Sequence, residues 1–326
     1  MPQSGLPPKD WNSNASGHFL TFIVPTVNGC NLRCPFCFIS QREEISDTLL
    51  APADYARFIE GVAEVDPVIG VAIQGHEPLL PSSMPYTTAI LRAATALGIP
   101  ASLVTNGTML RDALPSLRTL GAARIGVSLD AANADRHDRL RGVPGAWNAT
   151  TSAITAGIDT LSEVGTRLTV ISVLMPRKRA YLDGMPTLLR DLGVRDWIVN
   201  PLMTIGKEVW AGHDSISRLM DDLLMLSELA RRSEIALTID DERGIIRSKL
   251  AALDPEQTAR LKIRTLPAGV TLARLTPSGQ CSIGHEVSLQ ASRDGARWRA
   301  GDVHPAHFLR ASKNGASLAK RALQPA

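Results

Sequence analysis

Cys30-Asn31-Leu32-Arg33-Cys34-Pro35-Phe36-Cys37 holds three of the four cysteines in a chain of 326 residues. Thiolates are the usual protein ligands of iron–sulfur clusters. A four-iron cluster has four corners, and a C-x3-C-x2-C loop fills three of them. The iron left open is then available to a small chelating molecule, much as a catalytic zinc keeps one position free for chemistry. The competing reading is a structural zinc knuckle or scattered buried thiols. A zinc site ordinarily takes four ligands, and no second cysteine pair or evident histidine pair follows nearby.

Elements able to position such a loop recur along the chain. Residues 1–17 are rich in Pro, Ser, Asn and Gly and read as an irregular lead-in. Phe19 to Val24 is a short β-prone apolar run that reads as a buried strand and feeds directly into the cysteine loop. Pro52 to Val65 has helical spacing, with a proline suited to a first turn. Further strands are expected at 68–73, 102–104, 124–130, 167–174 and 197–201, with helices at 85–97, up to Leu120, 146–163 and 182–192 between them. That alternation predicts parallel βαβ units. An amphipathic helix over 215–232 and one more strand over 235–239 follow. From about Pro267 short alternating runs and turn signals predict a small β-rich extension over 268–303.

In a parallel barrel, ligands meet the loops at the carboxyl ends of the strands. The polar residues of this chain gather at that edge. Cys30 to Cys37 follow the first strand, Glu77 the second and Asn106 the third; Asp130 closes the fourth, Ser172 lies on the fifth and Asn200 ends the sixth.

With these residues in view, the chain resembles the radical S-adenosylmethionine (radical SAM) superfamily. C-x3-C-x2-C with Phe36 before the last cysteine matches the family signature. Gly75-His76-Glu77-Pro78 resembles its G-G-E-P motif, with His76 in place of the second glycine. Ser128-Leu129-Asp130 and His137-Asp138-Arg139-Leu140-Arg141-Gly142 resemble its S-L-D…H-D…R-G segment, and Thr105-Asn106-Gly107 its T-N-G turn. The resemblance implies an α/β fold, a partial (β/α)6 TIM-type barrel over 18–240. It implies one [4Fe-4S] cluster on Cys30, Cys34 and Cys37, with SAM on the open iron. Gly75 and Glu77 would then receive the SAM amine, Arg141 its carboxylate, Ser172 the ribose and Asn200 the adenosine; Phe36, Asn106, Ser128 and Asp130 complete the expected cofactor set. A flavodoxin or ferredoxin would supply electrons.

The extension, 241–326, resembles a degenerate SPASM or twitch domain that contributes to the substrate site. It carries only Cys281, too few thiols for a second four-iron cluster. Cys281 is either a hydrogen-atom donor, as in radical SAM epimerases, or a small buried apolar residue. His76, Asp240, Asp241 and Glu242 are candidates for the substrate side. The expected reaction takes a hydrogen atom from a sugar, aminocyclitol or nucleoside-like intermediate, ending in epimerisation, dehydrogenation, dehydration or decarboxylation. Peptide modification is the alternative; a non-catalytic iron–sulfur or zinc protein is a remote one.

Composition narrows the setting. Apolar residues make up 44% and charged residues 21%, a globular mixture. A net charge of +3 gives no electrostatic case for nucleic acid. No apolar run approaches the ~18 residues of a membrane span, and no secretory leader is evident. Clustered thiols beside one odd cysteine fit a reducing cytoplasm better than a disulfide framework.

Overall fold

The computed structural model describes residues 16–26, 29–37, 49–202, 209–241, 244–279 and 281–283. Strand β1 (Gly17–Val24) is buried along nearly its whole length, as expected of a strand covered on both faces. It pairs in parallel with β2 (Val68–Gly75), and the parallel series continues through β3 (Ala101–Thr105), β4 (Arg124–Ser128), β5 (Arg167–Leu174), β6 (Asp196–Pro201), β7 (Ala236–Asp240) and the short β8 (Ile263–Arg264). On the other edge of β1 lies β9 (Val270–Leu275), also parallel, and β10 (Cys281–Ile283) closes that side antiparallel to β9. The sheet runs β10-β9-β1-β2-β3-β4-β5-β6-β7-β8, and its nine parallel strands form a half-barrel of the partial TIM type.

The crossover helices are α1 (Pro52–Ala63), α2 (Met84–Ala96), α3 (Leu110–Leu120), α4 (Ala134–Arg141), α5 (Ala146–Ser162), α6 (Met185–Asp191), α7 (His213–Arg232), α8 (Ile245–Leu253) and α9 (Pro255–Ala259). Strand residues such as Leu20, Phe22, Ile125, Val127, Val170, Trp197 and Val199 pack with helix residues such as Phe58, Ile90, Leu117 and Leu223 in one large core. Because side chains alternate between faces along a strand, the intervening strand residues line the concave face. There Phe19, Ala72, Val270 and Leu272 form a second, smaller apolar cluster. Small residues make room on this face: a Cβ on Gly70 would meet the Phe19 ring at 2.7 Å, and one on Gly126 would meet the Ile171 side chain at 2.5 Å.

Three features differ from the sequence expectation. The strand expected over 235–239 is β7, but the parallel sheet continues past it to β8, and β9 extends it on the other edge. The fourth strand ends at Ser128: Leu129 N still donates to Ile171 O at 2.9 Å, but Val173 N then bonds the Asp130 carboxylate instead of a β4 carbonyl. The His137 motif is helical, forming most of α4. Charged residues dominate α4, so it lacks the apolar stripe by which sequence periodicity reveals a helix.

Candidate active site

The cysteine loop leaves the carboxyl end of β1 and is tied to its neighbours by backbone and side-chain bonds. Arg33 N donates to Arg141 O at 2.9 Å. This close approach depends on Gly142, which caps α4 at φ 71. A Cβ there would sit 2.6 Å from Arg33 O, and the left-handed conformation is one that glycine adopts without strain. On the other side, Asn106 Nδ2 donates to Asn31 Oδ1 at 2.8 Å, and Asn31 Nδ2 donates to Thr108 Oγ1 at 2.7 Å.

The thiols of Cys30, Cys34 and Cys37 are each half-buried. Hydrogen-bond donors are aimed at two of the sulfurs. Leu32 N lies 3.4 Å and Asn106 Nδ2 3.8 Å from Cys30 Sγ, while Arg141 Nη1 lies 3.7 Å from Cys34 Sγ. Burial pushes both thiols up from their ordinary range; a bound iron acts in the opposite sense, holding its sulfur ligands as thiolates. Among the described residues no group of three ligands converges on a single metal ion. Three thiolates on separate corners of a cluster have no need to converge. The donor set, three thiols flanked by N–H groups directed at sulfur, fits a [4Fe-4S] cluster, since hydrogen bonds to the sulfurs are one of the levers a protein holds over such a cluster.

Arg141 is the hub of the far wall. Its guanidinium forms an ion pair with Asp130, Nη2 to Oδ2 at 2.7 Å, and lies 5.8 Å from the centre of the Phe36 ring. Asp130 Oδ1 accepts from Val173 N at 2.8 Å, and Asp130 N donates to His137 Nδ1 at 3.1 Å. That bond fixes the proton of the fully buried His137 on Nε2, and Nε2 has no hydrogen-bond partner among the described residues. Burial, then the nearby Arg141 charge, lowers His137 to about 4. Asp138 caps α5 by accepting from Gly145 N and Trp147 N at 2.6 and 2.7 Å. One motif therefore holds Asp130, starts a helix and admits the cluster loop.

Glu77 is wholly buried, and its carboxylate accepts from Thr105 Oγ1 at 2.6 Å, Asn106 N at 2.7 Å and Leu79 N at 3.1 Å. Burial raises it to about 7 despite these bonds. It thus brackets the ends of β2 and β3. The turn before it is made at Gly75, φ 135. His76 is not among the residues of positive φ, so the family's second glycine is not required here. Thr26 Oγ1 lies 3.2 Å from His76 Nδ1, and the Cys30 thiol donates to His76 O at 3.3 Å.

Several predicted site residues meet partners inside the chain. Ser172 is on the helix side of the sheet, donating to Leu129 O and accepting from Trp197 Nε1. Asp240 pairs with Arg264 at 2.8 Å, and buried Asp241 accepts from Arg247 N at the start of α8. Asn200 is the last residue but one of β6, with its Oδ1 buried and without a partner among the described residues. Ser128 ends β4 on the concave face. Cys281 heads β10 opposite Leu275, the last residue of β9. Glu242 lies outside the described residues. Sequence reasoning gave no site role to Asn31, Thr105 or His137; for His137 a signal was present, because His137 and Arg141 stand four apart and so share a helix face.

This half-barrel with a three-thiol loop at its mouth defines a class, and comparison with known proteins agrees. The family model described as the Radical SAM superfamily matches residues 24–180. Residues 24–180 thus match a radical SAM domain, and members of that superfamily use a [4Fe-4S] cluster and SAM. It is similar to an AdoMet-dependent heme synthase of Methanosarcina barkeri, 31% identical over 180 residues, covering 55% of this chain and 49% of the relative. A probable GTP 3′,8-cyclase of Saccharolobus solfataricus is 27% identical, with 63% of this chain and 64% of the relative covered. Among solved structures, Streptococcus suis SuiB bound to the precursor peptide SuiA shares the fold with a TM-score of 0.63 at 15% identity, covering 92% of this chain and 66% of SuiB. The chain spans about half the length of the heme synthase it matches. No helix among the described residues is long and apolar enough to cross a membrane.

Proposed function

We propose that this protein binds one [4Fe-4S] cluster through Cys30, Cys34 and Cys37 and uses SAM to remove a hydrogen atom from a small-molecule biosynthetic intermediate. The observation that carries the reading is the set of N–H donors from Leu32, Asn106 and Arg141 directed at Cys30 and Cys34. When bound, the cluster supplies the electron that cleaves SAM to methionine and a 5′-deoxyadenosyl radical, which abstracts a carbon-bound hydrogen.

The chain's own residues aim and enclose. Asn31, Asn106 and Thr108 fix the loop over β3. Arg141, anchored by Asp130, holds a positive charge beside Cys34, which favours an electron-rich sulfur there. Phe36 covers the Arg141 guanidinium and excludes water from that wall. Asn200 Oδ1, buried and unpartnered among the described residues, is offered as an acceptor for the adenosine of SAM. Glu77 and Arg141 act through the walls they hold, since both charges already have partners within the chain.

Sugars, aminocyclitols and nucleoside-like molecules are the substrate classes we favour. Peptide modification is the second reading, favoured by the fold shared with SuiB in its peptide complex. Anaerobic reconstitution with iron, sulfide, reductant and SAM tests both: 5′-deoxyadenosine and methionine are expected, and their absence contradicts the reading. For epimerisation, the reaction run in deuterated water should place one deuterium in the product, and Cys281→Ala should abolish it. An unlabelled product rules out Cys281 as donor.

A further inference from the structure

Charged residues stand on β4 to β8, from Arg124 at the amino end of β4 to Asp240 and Arg264 at the carboxyl ends of β7 and β8. Arg167 lies 3.6 Å from Asp196, and Arg264 lies 2.8 Å from Asp240. Arg124, the first residue of β4, is 6% exposed, yet its Nε has no hydrogen-bond partner and its guanidinium forms no ion pair among the described residues. Buried charges are ordinarily paired, so this one is an exception that calls for a ligand. Burial pushes Arg124 down to about 10, and the charges acting on it are those of Arg264, Asp196, Arg167 and Asp240. Arg264 is on β8, four strands from β4. Measured along the sheet that is about 19 Å at the usual strand spacing.

A second orphan stands beside Arg124. Thr169 is fully buried and its Oγ1 has no partner among the described residues. It pairs in register with Gly126, two residues along β4 from Arg124, whose own register partner is Arg167. Ile125, Val127, Leu168 and Val170 are in the helix-side core, so Arg124 and Thr169 share the concave face.

We propose that this face is an oxyanion subsite, and that the substrate presents a carboxylate or phosphate group to Arg124 and Thr169. A guanidinium and a hydroxyl together give the charge and the hydrogen bonds that such a group takes up. The assignment rests on the radical reading of the mouth and extends it. Ser128 is four residues further along β4, about 13 Å of strand rise. The reacting carbon and the acidic group therefore lie at opposite ends of an elongated molecule.

The test uses the full chain, reconstituted with iron and sulfide and saturated with SAM without oxygen. Inorganic phosphate and succinate are titrated separately by calorimetry at constant ionic strength, with chloride as reference. Saturable one-to-one binding of at least one anion is expected, at least 10-fold weaker in Arg124→Gln and Arg124→Lys and several-fold weaker in Thr169→Val. The tighter anion tells phosphate from carboxylate. In the absence of anion, Arg124→Gln should melt no lower than wild type, since no ion pair is lost. No saturable binding, unchanged binding in the variants, or an Arg124→Gln protein that melts markedly lower or fails to fold overturns the subsite. Anion binding by a wild-type protein that makes no 5′-deoxyadenosine would instead strike the radical reading alone.

Discussion

Arg141 and Asp130 face each other at 2.7 Å, both almost wholly buried, and the same guanidinium reaches Cys34 Sγ at 3.7 Å. The carboxyl end of β4 is thereby coupled to the cluster loop through one side chain. Removing one member of a buried pair strands the other charge, at a cost of about 3–5 kcal/mol. Arg141→Leu should lose about that much stability in anaerobic urea denaturation and should retain less iron. The double variant Asp130→Asn/Arg141→Leu should lose less than the sum of the two single changes. Strict additivity would contradict the coupling.

His137 makes stability depend on pH. Its folded pKa, about 4, is below the ~6.5 of an unfolded histidine. Above pH 6.5 neither state binds the proton and there is no contribution. As the pH falls from 6.5 to 4 only the unfolded chain takes up a proton, so stability drops, by on the order of 3 kcal/mol in all. His137→Asn, whose Oδ1 can still accept from Asp130 N, should lack this slope. The difference between wild-type and variant stability measured between pH 7 and 4 checks it; parallel curves would refute the buried neutral histidine.

Gly142 is predicted to be irreplaceable for a local reason. Alanine there adds about 1–2 kcal/mol of left-handed strain and a Cβ 2.6 Å from Arg33 O. Gly142→Ala should lower both the melting temperature and the iron retained per chain, because relief of the overlap moves the cysteine loop. Full iron content in a destabilised Gly142→Ala protein would show that the loop is positioned independently.

Glu77 gives a third structural test. Its carboxylate accepts from three protein donors, and an amide offers one oxygen and turns an N–H towards another donor. Glu77→Gln should cost about 1–3 kcal/mol, the range for an unsatisfied buried group. Unchanged thermal stability would contradict its role as a bracket between β2 and β3.

Much of this architecture was legible in the sequence because it is periodic. Apolar runs such as Phe19 to Val24 and Val68 to Ile73 announce strands, and the cysteine spacing announces the loop. What stayed hidden depends on long-range geometry. No spacing shows that Arg141 is already paired with Asp130, that Ser172 faces Trp197, or that Asp241 starts α8. Each is a polar residue whose pleat or partner, not its spacing, decides its role. Helix α4 escaped because its charged residues leave no apolar stripe, and β8 because two residues carry no period. Arg124 escaped because the first residue of a strand looks like a surface position until the sheet curves around it.

The most direct test is anaerobic reconstitution of the full chain followed by reduction with SAM. The account predicts a brown iron–sulfur chromophore, one cluster per chain, and 5′-deoxyadenosine formation lost in each of Cys30→Ala, Cys34→Ala and Cys37→Ala. A colourless protein, or a chromophore and SAM cleavage that survive any of these three substitutions, would contradict it.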